Sequence, residues 1–194
     1  MTDEDKPTAT SSQTVGPFFH FGLATDRTLG TIAAADVAGE HIRLRIRVVD
    51  GTGEAVPDAL VELYQADAGG VYASQTPGQP SAFSGFGRLP TGDDGWCVFE
   101  TVRPGPVAAG QAGFQAPHIN VCLLARGLLR PIYTRIYFHG DAGHDRDPLL
   151  ALVPPDRQHT LMATPVSERI EGDVTTWEIV IRMQGEEETV FFDL

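Results

Sequence analysis

His41-Ile42-Arg43-Leu44-Arg45-Ile46-Arg47-Val48 alternates without a break between apolar and basic residues. Ile42, Leu44, Ile46 and Val48 fall on one side of an extended chain and the three arginines on the other, the period-two pattern of a strand with one buried face. Downstream, Asp50-Gly51-Thr52-Gly53 supplies turn chemistry. Ala59–Gln65 then alternates again, with Leu60, Glu62 and Tyr64 opposite Val61, Leu63 and Gln65. Further strands are predicted at Trp96–Val102, Ile119–Leu124, Ile132–Phe138, Thr176–Met183 and Thr189–Phe192, separated by stretches rich in Gly and Pro. No run keeps a helical period. Short helical turns are predicted at Asp147–Val153 and Asp156–Ala163, the second with Asp156 as a cap. The expected architecture is all-β: an antiparallel β-sandwich with long loops, an extended N-terminal arm and minor helix.

The chain has 194 residues, 42% of them hydrophobic, which suits one domain with a real core. Residues 1–12 are polar and read as a mobile N-terminal arm, and 13–194 as a single sandwich domain. Thr14-Val15-Gly16-Pro17-Phe18-Phe19 sets a Gly-Pro turn before two aromatics and reads as an arm docked on something apolar. A formal net charge of -12 repels phosphate backbones and anionic membrane surfaces, so neither nucleic acid nor a membrane is an expected partner. An anionic substrate would need a local Arg or Lys for the same reason. Cys97 and Cys122 match no Cys-x-x-Cys pattern, and no stretch approaches the ~18 apolar residues of a span, so a soluble chain of the cytoplasm is expected.

Tyr72, Cys97, His118 and Asn120 occupy loop or strand positions that can converge at one end of a sandwich. His118 and Asn120 share a strand face. Two imidazoles there would suit one metal ion, but an amide is a poor ligand for a hard ferric ion, and His118 read alone is a half-buried structural histidine before it is a ligand. Arg135 read alone is a solvated strand arginine. The cluster His139-Gly140-Asp141-Ala142-Gly143-His144-Asp145-Arg146-Asp147 reads as a solvated loop, not a metal site.

Three stretches resemble the intradiol ring-cleaving dioxygenases. Val61 through Tyr72 is similar to the family segment that ends in the first tyrosinate iron ligand, with Tyr72 at that position. Gly95-Trp96-Cys97, running to Arg103-Pro104-Gly105, resembles the strand and turn read as supplying the second tyrosinate, with Cys97 in its place. Ala116-Pro117-His118-Ile119-Asn120 resembles the run that gives both histidines, with Asn120 replacing the second. Two ligands of four are too few, which implies a vestigial iron site at Tyr72, Cys97, His118 and Asn120 and no metal or other cofactor bound by this chain. Cys97 as a thiolate ligand is the alternative, disfavoured because burial keeps a thiol protonated. From Ser12 to Leu194 the pattern is similar to the iron-free alpha-chain branch of the family.

That resemblance implies a beta subunit carrying ferric iron (Fe3+) as the partner, in a higher hetero-oligomer of alpha–beta pairs. It also implies protocatechuate and O2 as the ligands of the shared site. Thr14, Gly16, Pro17 and Arg135 are then expected to line the partner's substrate pocket, with Arg135 as the catalytic contribution. Two other readings are a transthyretin-like or carboxypeptidase-regulatory-like binding module, suggested by residues 40–65, and an autonomous catechol dioxygenase.

Overall fold

The computed structural model describes residues 9–16, 18–73, 82–110, 113–166 and 174–193. Most of the segment expected to be a mobile arm, and Pro17, lie outside them.

Among the described residues ten strands form: β1 His41–Val49, β2 Leu60–Gln65, β3 Phe86–Pro90, β4 Trp96–Val102, β5 Val107–Ala108, β6 Phe114–Gln115, β7 His118–Leu124, β8 Ile132–Phe138, β9 Met162–Pro165 and β10 Thr175–Arg182. Eight follow one another in the order β3-β2-β7-β8-β9-β10-β1-β4, and β5-β6 is a separate hairpin. The short β9 pairs with β8 on one side and β10 on the other, so it joins two layers. Ile42, Leu44 and Ile46 of β1, Phe99 of β4 and Ile179 of β10 meet Val61 and Leu63 of β2, Ile119 and Val121 of β7 and Ile136 of β8 in one buried cluster. The all-β sandwich of the sequence reading is thus the observed architecture. Most pairs are antiparallel, but β1–β10 and β8–β9 run parallel.

The alternation in β1 does what its sequence requires. Ile42, Leu44, Ile46 and Val48 are fully buried. Two of the three arginines on the other face meet a cross-strand carboxylate: Arg43 pairs with Glu100 of β4 at 2.7 Å, and Arg45 pairs with Glu178 of β10 while stacking on Trp96; Arg47 instead donates to the Asp94 carbonyl in the turn before β4. Opposite charges in register are the sheet's counterpart of helical ion pairs.

Three expectations need correction. Thr189–Phe192 is no strand; it contributes one bridge, Phe192 to Tyr133, because Thr189 and Val190 are tied by hydrogen bonds to Arg182, Thr134 and Thr160 instead of to a ladder. The turn expected over Asp156–Ala163 is a 3-10 turn at Gln158–Leu161 that passes straight into β9, and its cap residue is Arg157, with no side-chain bond from Asp156. A 3-10 turn at Leu150–Leu152 does lie within Asp147–Val153. The arm is not extended throughout and does not bury both of its aromatics: after Gly16, whose φ of +73° favours glycine, one helical turn α1 (Phe19–Leu23) leaves Phe18 73% exposed, its ring stacked 5.9 Å from that of Phe21, while Phe19 is half-buried.

Gln65 connects the layers. Fully buried at the end of β2, it donates to the carbonyls of Ala66 and Val102 and accepts from the Thr101 hydroxyl, so a β2 side chain binds the end of β4. Gln65→Leu leaves the Thr101 hydroxyl only its long contact to the Val102 carbonyl at 3.5 Å and leaves the Ala66 and Val102 carbonyls short of a donor. The expected loss is about 2–3 kcal/mol in a guanidinium unfolding titration, and a variant as stable as wild type would show that the staple is dispensable.

Candidate functional site

The outer face of the β3-β2-β7-β8 layer carries the residues singled out from sequence. β2, β7 and β8 align so that Tyr64 lies beside Asn120 and Asn120 beside Arg135, while His118 sits across from Tyr137. The loop after β2 brings Tyr72 over this row, its ring stacked on Tyr64 at 4.8 Å. Glycine makes that approach possible: a Cβ on Gly70, at φ +81°, would lie 2.1 Å from the Pro106 carbonyl oxygen.

The side chains form one directional hydrogen-bond chain. Arg135 Nε donates to Asn120 Oδ1 at 2.9 Å, and Arg135 Nη1 to Gln115 Oε1 at 2.8 Å. Asn120 Nδ2 donates to the Tyr72 hydroxyl at 3.0 Å and to the Tyr64 carbonyl at 3.2 Å. His118 Nδ1 lies 2.8 Å from the Ala116 carbonyl, which can only accept, so Nδ1 carries the proton and Nε2 takes one from Tyr72 at 3.2 Å. Burial pushes the Tyr72 hydroxyl up, against the pull of Asn120 and Arg135. Burial, helped by the Arg135 charge, depresses His118 to about 4. At neutral pH the group is a protonated phenol on a neutral imidazole beside a guanidinium.

This donor set does not fit a ferric ion. Of the side chains in the group only Tyr72 and His118 are of ligand type. The phenol holds its proton, the Nε2 lone pair is already engaged, and Arg135 adds a positive charge. The purified chain, given ferric salt and dialysed, is expected to keep far less than one iron per chain and to show no visible tyrosinate-to-iron band. Metal analysis and a visible spectrum check this, and a coloured protein with stoichiometric iron would overturn it.

Cys97 is not part of the group. It lies inside the core in register with Ile46. It lies four positions before Thr101, the β4 residue that reaches Gln65, or about 13 Å along the strand. Burial pushes its thiol up to about 12. The stretch that does pack beside the Tyr72 loop is Gly105-Pro106-Val107, and Val107 pairs with Gln115 of β6. Its aliphatic side chain offers no ligand atom. The turn chemistry of Pro104-Gly105-Pro106 was the sequence signal for it.

Arg135 also changes company. It was grouped with Thr14, Gly16 and Pro17, but within this chain Thr14 accepts a hydrogen bond from the Gly127 amide, in the loop joining β7 to β8. Arg135 lies three residues inside β8, about 10 Å from that strand's start. The arm and the guanidinium therefore flank the β7–β8 hairpin at separate points.

The cluster His139–Asp147 is a loop exposed at His139, Gly140, Ala142, Asp145 and Arg146 but half-buried at Asp141, Gly143 and His144, with Asp141 paired to Arg103 at 2.7 Å, and its last residue is buried. Asp147 is fully buried. It accepts from the amides of Ala116, Leu149 and Leu150 and from the Tyr137 hydroxyl, which fixes the loop to the start of β7 just before His118. Sequence reasoning missed it. Asp before Pro-Leu-Leu at a short helical turn was the available signal.

Comparison with known proteins agrees with this geometry. A family profile described as Dioxygenase matches residues 14–183. The chain is 42% identical to the protocatechuate 3,4-dioxygenase alpha chain of Burkholderia cepacia, over 95% of this chain and 97% of the relative, and 41% identical to that of Pseudomonas putida over 95% and 96%. Its identity to the B. cepacia protocatechuate 3,4-dioxygenase beta chain is 28%, over 92% of this chain and 77% of the relative. Among solved structures, 3-chlorocatechol 1,2-dioxygenase from Rhodococcus opacus 1CP superposes with a TM-score of 0.65 at 22% identity, over 92% of this chain and 74% of that one, which shows the shared fold. The sandwich, the Tyr72–His118 arrangement and the near full-length relatives lead to one conclusion: the chain belongs to the intradiol dioxygenase family.

Proposed function

We propose that this chain is the metal-free alpha subunit of a protocatechuate 3,4-dioxygenase of the cytoplasm, assembled as alpha–beta pairs in a higher hetero-oligomer. The observation that carries this reading is the alignment, over nearly their whole length, with chains named as the alpha member of such an enzyme. The partner beta subunit supplies the ferric iron at which protocatechuate and O2 react to give 3-carboxy-cis,cis-muconate. The contribution of this chain is electrostatic and steric. Its net charge of -12 opposes entry of an anionic substrate. Arg135 answers this with a planar, permanently charged guanidinium for the substrate carboxylate or the carboxylates that form. Thr14, Gly16 and Pro17 form a wall of the partner's pocket, and Tyr72, His118 and Asn120 keep the outline of an iron site that no longer binds metal. An autonomous catechol dioxygenase is disfavoured by Asn120, and a free-standing binding module by the family match over residues 14–183.

Co-expressed with a beta chain, this chain is expected to co-elute with it in size-exclusion chromatography. In that heteromer Arg135→Ala is expected to keep assembly and iron content while lowering kcat/KM for protocatechuate about tenfold or more. Loss in KM alone places the charge on the bound carboxylate, and loss in kcat places it later in the reaction. Arg135→Lys separates charge from geometry. Wild-type kinetics in the alanine variant would remove Arg135 from the site.

A further inference from the structure

We infer that Asn120 and Gln115 are positioning residues that aim the Arg135 guanidinium. This rests on the reading that Arg135 serves the partner's site. Arginine on a strand facing outward has a long, mobile side chain, and a charge that must act at a defined point needs its plane fixed. Two of the three guanidinium nitrogens are fixed here, by acceptors on different elements: Nε by Asn120 of β7 and Nη1 by Gln115 of β6. The position of the third follows from these two.

Asn120 is itself held. Its amide nitrogen donates to the Tyr72 hydroxyl and to the Tyr64 carbonyl, so the amide cannot turn over and Oδ1 always faces Arg135. Tyr72 is in turn held by His118, and His118 by the Ala116 carbonyl. The end of this chain that can present charge is the guanidinium. An amide alone suits position 120, because it offers donors to Tyr72 and Tyr64 and an acceptor to Arg135 at once. A carboxylate would lose both donors, and an imidazole could not span the same three partners. The residue that cancels the iron site is therefore also the residue that orients the arginine.

The experiment is steady-state turnover of protocatechuate by the alpha–beta heteromer, with iron measured per beta chain. Asn120→Leu and Gln115→Leu are each expected to lower kcat/KM about three- to tenfold at unchanged iron content, as expected for a displaced charge. Gln115→Glu keeps the acceptor and is expected to stay within about twofold of wild type. Combining either leucine substitution with Arg135→Ala is expected to give no loss beyond that of Arg135→Ala alone, because the three act as a unit. Gln115 sits on a partly exposed hairpin, so its pair of variants decides the matter if Asn120→Leu does not fold. An impaired Arg135→Ala variant with wild-type Gln115→Leu and Asn120→Leu kinetics would overturn the positioning role and leave the reading of Arg135 intact. Additive losses in the double variants would overturn it too. Wild-type kinetics in Arg135→Ala would overturn both.

Discussion

Asp147→Ala is expected to destabilise the chain by about 4 kcal/mol, a large part of the ~5–15 kcal/mol that holds a typical domain folded. The carboxylate is fully buried and accepts from the Leu150, Leu149 and Ala116 amides at 2.8, 2.9 and 2.7 Å and from the Tyr137 hydroxyl at 3.3 Å. Alanine leaves three buried donors and the partly buried Leu149 amide without an acceptor, each buried one worth about 1–3 kcal/mol and not additive once the loop relaxes and admits water. Asp147→Asn should fall between, since one of its two positions becomes an amine facing a donor. Asp145, two residues earlier and 75% exposed, is the control, expected within about 0.5 kcal/mol of wild type. Equilibrium unfolding in guanidinium measures all three, and a loss below about 1 kcal/mol for Asp147→Ala would sink the argument. Ala116 is released with the loop, and its carbonyl sets the His118 tautomer, so the site should loosen along with the fold.

The second large effect is on acid stability. His118 titrates near 6.5 in an unfolded chain and at about 4 in the folded one, because burial penalises its charged form. A depressed folded value means that the stabilisation is fully present above pH 6.5 and is lost as pH falls through the interval down to about 4. Below that, both states are protonated and the loss stops growing. At about 1.4 kcal/mol per unit, the interval amounts to roughly 3 kcal/mol. Unfolding free energies at pH 7 and pH 4.5 should differ by most of this in wild type and by much less in His118→Gln. Asp26, Asp50 and Glu187, whose carboxyls are held low by hydrogen bonds from Thr28, Thr52 and His159, act at lower pH and equally in both proteins. Equal slopes for wild type and variant between pH 6.5 and 4.5 would refute the assignment.

What was legible in the sequence was whatever a local period encodes. The alternation of β1 is complete over eight residues, and burial follows it at every position. β3 was missed because Phe86-Gly87-Arg88-Leu89-Pro90 contains a glycine and ends in proline, residues that argue against a strand until β2 supplies the ladder. β9 was missed because Met162 and Ala163 fell within the helical turn expected over Asp156–Ala163, and the pairing with β8 and β10 that makes them a strand is a tertiary cause. Within the site, Tyr72, His118 and Asn120 were readable as a group because a shared strand face and a family resemblance coincided. Cys97 was misplaced because a Gly-x-Cys run imitates a Gly-x-Tyr run, and only strand register shows that it points into the core. Arg135 was visible as a charge but not as a neighbour of Asn120, since the β7–β8 pairing that joins them is not written in either segment alone.

The parallel pairing of β1 with β10 also bears on how the chain is made. Arg45 meets Glu178, a residue 133 positions away in sequence. At ~5–20 residues per second, a ribosome needs on the order of ten seconds after completing β1 before that partner strand exists. Through that interval β1 can take β4 on one side only, and the edge later covered by β10 stays open. Two features limit the hazard: Arg43, Arg45 and Arg47 along the strand disfavour association between nascent chains, and closing so long a loop adds little entropy beyond that of a shorter one. The N-terminal half must therefore wait, half-paired, for the C-terminal strand to complete the layer, and a chain truncated before Thr175 should be caught at that stage and removed by proteolysis.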